Sequence, residues 1–206
     1  MNLSVCATLP WGPLSGVWYR AIDPSHIPTA LQTAQSLNHH SRFSAGPKAA
    51  RPFEVLQAAE NPLVAQLEVY ALVGNVFLPH TLIAPGRQNC LTFHVQVSLQ
   101  RVVSLADPSV QSQLQTTEQE LTGAWESYGY RPPGMPQRGL APTQELGQAL
   151  YDVPGLEGFI TVSAKAPLYR TLVVFPQKLL VSSWIVTTIA GQVQRSTDHF
   201  QPLNPL

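Results

Sequence analysis

Apolar and polar residues alternate in several stretches of the chain, which is the pattern of half-buried β-strands. The longest stretch covers residues 89–105 and is rich in Val, Leu and Phe. Residues 16–21 predict a short strand near the N-terminus. Towards the other end, β-branched runs separated by turn residues predict a small sheet, with strands over residues 159–163, 171–175 and 182–189.

Helical spacing of apolar residues predicts two helices in the first third of the chain. Ala and Leu residues recur at this spacing within residues 28–37, where we expect a helix. Asn61 followed by Pro62 marks a second helix start, because Asn is a favourable N-cap and Pro suits the first helical position. The helix formers that follow predict a helix from Pro62 to about Val73.

Three further helices are predicted from start signals and spacing. Asp107 followed by Pro108 begins one of them. Thr117 and Glu120 form a capping box for a helix that runs toward Trp125. Residues 145–151 show helical spacing again.

The order of these elements indicates an α+β fold, a compact single domain with a mixed central sheet. Helices come early, strands lie at both ends, and there is no steady βαβ alternation. Residues 128–142, rich in Pro and Gly, are expected to form an irregular loop. A chain of 206 residues without a linker predicts one domain, with a core over about residues 16–190 and a tail over about 196–206.

The charge composition argues against nucleic acid as a partner. Only 12% of residues are charged, and 12 basic residues balance 12 acidic ones, so no basic surface for phosphate backbones is indicated. Weak repulsion between copies favours self-association, and we expect a homodimer.

The first ten residues lack the features of a secretory signal. Arg170 and Lys178 interrupt the most apolar stretch, so no membrane span is expected and a cytoplasmic protein is predicted. Cys6 and Cys90 are far apart in the sequence and are expected to be buried free thiols.

The motifs of several common enzyme classes are missing. There is no dinucleotide-binding GxGxxG after a strand, no P-loop, no HExxH and no GxSxG. The pair His39-His40 has neither a third ligand nor a carboxylate nearby in sequence, so no metal site is expected.

Glu68 is the unusual carboxylate of this sequence. It lies among apolar residues, and no Lys or Arg occurs between Arg51 and Arg87, so no neighbour on its own helix can neutralise it. Either the side chain points to solvent, or distant cations or a ligand hold it. Taken singly, Arg20, Arg42 and Ser163 are ordinary residues of a surface, a loop and a strand end.

Seven segments in a fixed order give these residues a second interpretation. Together the segments resemble the RES domain family, which is named for its Arg, Glu and Ser residues. The segments span about residues 16–190 and are Val17–Arg20, Ser41–Gly46, Leu56–Glu68, Leu99–Asp107, Pro142–Gly147, Gly158–Ala164 and Thr171–Pro176.

This resemblance implies a fold related to ADP-ribosyltransferases and an enzyme that destroys NAD by phosphorolysis or hydrolysis. It also implies the toxin of a toxin-antitoxin pair, whose partner is a helix-turn-helix antitoxin of the Xre type. Phosphate would be a co-substrate in phosphorolysis, and no metal would be required. The family often has a tyrosine eleven residues before its glutamate, whereas this chain has Gln57 there. Tyr19 could supply an aromatic face instead.

The residue types suit that reaction. Arg20 and Arg42 are assigned to the pyrophosphate, which guanidinium groups bind bidentately. Glu68 would stabilise the positive charge that develops on the ribose when the bond to nicotinamide breaks. Ser163 would position the ribose or the nicotinamide amide and would not act as a nucleophile. Two alternatives remain, a protein ADP-ribosyltransferase that uses the same site and an NAD-binding module weakened by Gln57.

Overall fold

A computed structural model describes residues 1–85, 89–126, 128 and 139–196. Within these residues the chain forms seven strands and four α-helices. The strands are β1 (Trp11–Ile22), β2 (Leu56–Ala59), β3 (Leu91–Ser104), β4 (Gly158–Val162), β5 (Arg170–Val174), β6 (Trp184–Ile189) and β7 (Gln192–Arg195). The helices are α1 (Pro62–Glu68), α2 (Pro108–Leu114), α3 (Glu118–Thr122) and α4 (Pro142–Asp152).

The seven strands form one mixed sheet whose pairings return to their starting strand. β1 and β3 pair antiparallel over almost their full length, and β4 then pairs parallel with β3. β5 pairs antiparallel with β4, and β2 with β5. Tyr19 of β1 pairs with Ala59 of β2, which closes the ring, while β6 and β7 extend the sheet from β3. The predicted mixed sheet is confirmed.

Helix α1 covers one end of this ring. Its Val64, Ala65 and Leu67 are buried and pack against Ala21 of β1 and Ala59 of β2. These three side chains form the apolar face of a helix of only seven residues. Glu68, the last residue of the helix, lies next to that face at the boundary between core and solvent. This packing fixes the place of the carboxylate relative to β1 and β2.

The helix predicted over residues 28–37 is wrong. The chain forms two 3-10 turns there, Pro24–Thr29 and Ala34–Asn38, although Leu31 is fully buried as its spacing suggested. Side-chain hydrogen bonds explain the difference: Thr33 Oγ1 donates to Glu54 Oε2 at 2.5 Å, and Ser36 Oγ accepts from the Val55 backbone N–H. Such bonds compete with helical ones.

Two predicted helix ends are also wrong. Helix α1 ends at Glu68 and not near Val73, since Tyr70 adopts a left-handed backbone with φ of 58°. Helix α3 ends at Thr122 because Gly123 leaves the helical conformation. The N-caps are confirmed for Asn61 and Thr117, whose side chains accept backbone hydrogen bonds. The predicted capping box is only half formed, because the Glu120 carboxylate accepts from Thr116 Oγ1.

Other predictions differ from the structure mainly in length. The predicted strand over residues 16–21 is the second half of β1, and β2 and β7 were not predicted. The small sheet expected near the C-terminus is not separate, because β4, β5 and β6 belong to the seven-stranded sheet. Of the predicted loop over 128–142, residues 129–138 lie outside the described residues, and Pro142 already begins α4. The predicted tail lies outside them from residue 197 on.

The two thiols differ in burial. Cys6 is buried, and burial raises the pKa of its thiol to about 11, whereas Cys90 is only half-buried. Among the described residues, no helix has both the length and the apolar character that crossing a membrane requires.

Candidate active site

Glu68 is placed by the two ends of a short helix. At the start of α1, the side chain of Asn61 accepts a hydrogen bond from the backbone N–H of Leu63 at 2.9 Å. At the end, the backbone N–H groups of Tyr70 and Ala71 donate to the carbonyls of Leu67 and Gln66. These two hydrogen bonds form a Schellman motif, which ends the helix directly after Glu68.

Ser163, which directly follows β4, holds the Glu68 carboxylate. It is buried, and its Oγ donates to Glu68 Oε1 at 2.6 Å. The same Oγ accepts the backbone N–H groups of Lys165 and Ala166. Because a hydroxyl has one proton, those two bonds direct it to Glu68. The expected alternatives for Glu68 were a solvated side chain and one held by distant cations or a ligand. In the structure the side chain is half-buried, and a neutral hydroxyl 95 residues away in sequence binds its carboxylate.

Arg20 projects from β1 with part of its guanidinium group unsatisfied. Nη1 donates to the backbone carbonyl of Gln57 at 3.0 Å, whereas Nε is buried and has no acceptor among the described residues. Burial lowers the pKa of Arg20 to about 10. Buried polar atoms are nearly always hydrogen-bonded, so this donor suggests a bound acceptor in the working protein.

Arg42 lies on the loop between the 3-10 turns Ala34–Asn38 and Gly46–Lys48. Its Nη1 donates to the backbone carbonyls of Leu121 and Gly123. Burial lowers the pKa of Arg42, and the nearby carboxylates of Glu68 and Glu126 oppose that shift. Arg42 and Glu68 are therefore electrostatic neighbours.

Helix α4 supports the loop that carries Arg42. Gln144 Nε2 donates to the backbone carbonyl of Ser41 at 3.0 Å. A Cβ on Gly147 would lie 1.9 Å from the carbonyl oxygen of Phe43, so only glycine permits this close approach. Gly46, the other glycine of interest, has φ of 52° and packs against the His39 carbonyl within the loop.

Five of the predicted site residues line one cavity, here called the first chamber, with a volume of about 300 Å³. They are Tyr19, Arg20, Arg42, Gln57 and Glu68. Ser163 lies behind the wall, between the lining residues Val162 and Ala164, and reaches the chamber through Glu68. The structure thus brings all six residues of the predicted site to one place.

A second chamber of about 380 Å³ adjoins the first and shares the residues Arg42, Gln57 and Glu68 with it. Its remaining wall includes Tyr70, Trp125, Glu126 and Lys165. None of these four is among the residues of the predicted site. Only Lys165 carried a signal, since it follows Ser163 by two positions.

The two chambers contain no set of metal ligands. In the described part of the chain, no group of three or more His, Cys, Asp or Glu side chains could hold a metal ion. His39 and His40 line the first chamber, and the His40 ring lies edge-on to Trp125 at 5.5 Å between centroids.

Comparisons with known proteins bear on the fold and the family. The family model described as RES domain matches residues 17–189. The crystal structure of the M. tuberculosis MbcT-MbcA toxin-antitoxin complex contains a chain of similar fold, with a TM-score of 0.58 and 16% sequence identity. That match covers 94% of this chain and 87% of the other. Among curated protein sequences, no match was found.

Proposed function

This chain belongs to the RES domain family, and from that premise we propose that it is an enzyme that cleaves the bond between nicotinamide and ribose in NAD. The observation that carries the proposal is the Glu68 carboxylate, fixed by Ser163 at 2.6 Å in a chamber that Arg20 and Arg42 also line. A carboxylate suits the positive charge that develops in this reaction, and guanidinium groups suit the pyrophosphate of the substrate.

Glu68 is proposed to stabilise the transition state. When the carbon-nitrogen bond breaks, its electron pair stays with nicotinamide, which leaves as a neutral molecule and needs no general acid. Positive charge then develops on the ribose, as in glycoside cleavage. A carboxylate held in one orientation faces that charge without reorganisation, which contributes on the order of 3 kcal/mol.

Arg20 is proposed to bind the pyrophosphate. Its buried Nε lacks an acceptor, and its lowered pKa reflects a positive charge that has lost its water. A phosphate oxygen would supply both the acceptor and the opposite charge. Arg42 lines the same chamber and would bind the neighbouring oxygens, while Tyr19 and Gln57 would contact the rest of the dinucleotide.

The group that attacks the ribose is proposed to be water or inorganic phosphate. In either case an oxygen forms the new bond to the ribose carbon, and a proton is released from water or monohydrogen phosphate. The products are nicotinamide with ADP-ribose or with its 1-phosphate. A relation to the ADP-ribosyltransferase fold is part of this proposal, and a protein acceptor is its closest alternative.

The test is the release of nicotinamide from NAD by the purified protein, with and without phosphate. We expect the Glu68→Gln variant to lose at least about 100-fold in rate, the equivalent of the stabilisation above. Glu145→Gln, on the exposed face of α4, is the matched control and should retain the full rate. Wild-type protein that leaves NAD intact, or a Glu68→Gln variant as fast as wild type, would contradict the proposal. A mass increase on a protein target would favour the alternative.

A toxin role is also proposed, with an antitoxin of the Xre helix-turn-helix type as partner. Family membership and the fold shared with a chain of a toxin-antitoxin complex support it. The homodimer predicted from the weakly charged composition remains part of this proposal. Co-purification with the product of a gene adjacent to the one that encodes this chain would test the antitoxin partner. The mass of the protein in solution would test the homodimer.

A further inference from the structure

Tyr70 occupies a backbone position that favours glycine. It is the first residue beyond the end cap of α1, with φ of 58°, and its N–H completes the Schellman motif. Glycine is the usual residue there, because a Cβ in the left-handed region costs roughly 1–2 kcal/mol. A tyrosine at this position makes the fold less stable than glycine would, unless its side chain compensates.

The Tyr70 side chain is held between two charged residues. Lys165 Nζ donates to the phenolic oxygen at 2.9 Å, and the phenol donates to Glu126 Oε1 at 3.3 Å. The Lys165 ammonium also lies 4.1 Å from the ring centroid. These contacts fix the ring, yet 48% of the residue remains exposed.

The fixed ring forms part of the second chamber, next to the proposed catalytic carboxylate. Trp125 and Glu68 line the same chamber, whereas Arg20 lines only the first. If Arg20 binds the pyrophosphate in the first chamber and Glu68 faces the bond that breaks, the group beyond that bond enters the second chamber. That group is nicotinamide, a planar ring.

We propose that Tyr70 is a substrate-contacting residue whose ring stacks on the nicotinamide of NAD in the second chamber. This inference rests on the proposed function. Backbone strain at a ligand site persists where surrounding contacts enforce it, and here Lys165 and Glu126 do so. Stacking of an aromatic side chain on a nucleobase contributes about 1–3 kcal/mol, so its loss weakens binding about 5- to 150-fold.

The test compares three variants with wild type in the NAD cleavage assay. Tyr70→Leu keeps the backbone strain and removes the ring, Tyr70→Phe keeps the ring, and Tyr70→Gly removes both. We expect the KM for NAD to rise about tenfold or more in Tyr70→Leu and Tyr70→Gly and to stay within about threefold in Tyr70→Phe. The kcat should change less than the KM, and Tyr70→Gly should not lower the Tm, since glycine relieves the strain.

Gln115→Gly is the matched control. Gln115 is exposed, ends α2 with φ of 51°, and lies outside both chambers, so the same relief of strain should leave the kcat and KM unchanged. Inhibition by the products identifies the ring: inhibition by nicotinamide should weaken in Tyr70→Leu, and inhibition by ADP-ribose should not.

Three results would overturn the inference while the proposed function stands. One is a wild-type KM in both Tyr70→Leu and Tyr70→Gly, and another is weaker inhibition by ADP-ribose alone. The third is a lower Tm of the Tyr70→Gly variant together with a change of its kcat and KM in the same direction, which would indicate a purely structural role. A different pair of results would contradict the proposed function and this inference together. These are that the wild type does not cleave NAD and that the Glu68→Gln variant does not bind NAD in calorimetry.

Discussion

The guanidinium group of Arg20 is a partly desolvated charge at the wall of the first chamber, and no carboxylate of the described residues forms an ion pair with it. Among the described residues, its hydrogen-bond partner is a neutral carbonyl, that of Gln57. Burying a charge in this way is unfavourable unless a ligand of opposite charge arrives. A lowered pKa at a cavity wall is therefore a physical reason to expect an anion there.

Replacing Arg20 by lysine tests two properties together, the bidentate binding of phosphate oxygens and the protonation of the side chain at position 20. Because lysine cannot bind two oxygens in parallel, we expect the KM for NAD to rise about tenfold at pH 7 in Arg20→Lys. With an Arg20 pKa of about 10, the wild-type KM should stay constant between pH 7 and 9. Lysine begins from an ordinary pKa of about 10.4, and the same burial lowers it, so in the variant the KM should rise already below pH 9.

The pH profile is the part of this experiment that a simple loss of packing does not reproduce. NAD and its cleavage products are followed from pH 6 to 9.5 for both proteins. Identical profiles with different KM values would mean that the charge at position 20 does not bind the substrate.

Gln57 faces both chambers, and within the described residues its side chain has a long hydrogen bond, from Nε2 to Ser41 Oγ at 3.5 Å. An aromatic ring at this exposed position would gain a stacking surface and lose little. We expect Gln57→Tyr to lower the KM for NAD at least threefold. Gln57→Leu, which adds apolar surface without a ring, is the control; equal gains in both variants would exclude stacking as the cause.

At the scale of elements, α4 determines the position of Arg42, although no residue of α4 lines either chamber. Gln144 binds the Ser41 carbonyl, and Gly147 allows the helix to touch the Phe43 carbonyl. The residues on either side of Arg42 are thus both held by α4. The loop depends on this helix for its conformation.

Gly147→Ala should separate the helix from that loop. The added Cβ would overlap the Phe43 carbonyl oxygen, and overpacking of this kind typically destabilises by about 1–3 kcal/mol. We expect a Tm lower by several degrees in a thermal melt, together with a higher KM for NAD as Arg42 shifts. Gly16→Ala meets nothing within 4 Å and should change neither quantity. An unchanged KM in a destabilised Gly147→Ala would show that Arg42 does not depend on α4.

Sequence patterns predicted the elements whose signals are local and missed those that distant contacts decide. The caps at Asn61, Asp107 and Thr117 depend on side chains two or three residues from the bonds they accept, and all three are present. In contrast, the helix expected over residues 28–37 yields to hydrogen bonds with Glu54 and Val55. The early end of α1 could not be predicted either, because no glycine marks it.

For the whole molecule, the site exists because the strand pairings close. Arg20 on β1, Gln57 on β2 and Ser163 after β4 lie far apart in sequence. The ring from β1 through β3, β4 and β5 to β2 brings them to one end, where α1 adds Glu68. The types of these residues were visible in the sequence, but the hydrogen bond that joins Glu68 to Ser163 required the topology.

If this assembly cleaves NAD in a cell, its expression should stop growth, because the whole cell depends on that cofactor. We expect induced wild-type protein in a bacterial host to lower the NAD content before growth stops. The Glu68→Gln variant keeps the same shape and partner surfaces but lacks the proposed charge, so at equal expression it should leave both NAD and growth unaffected. Arrest by both proteins would mean that a binding surface, and not NAD cleavage, is toxic. Arrest by wild type with undiminished NAD would instead point to the transfer of ADP-ribose to a protein, since modification of one target consumes little of the cofactor.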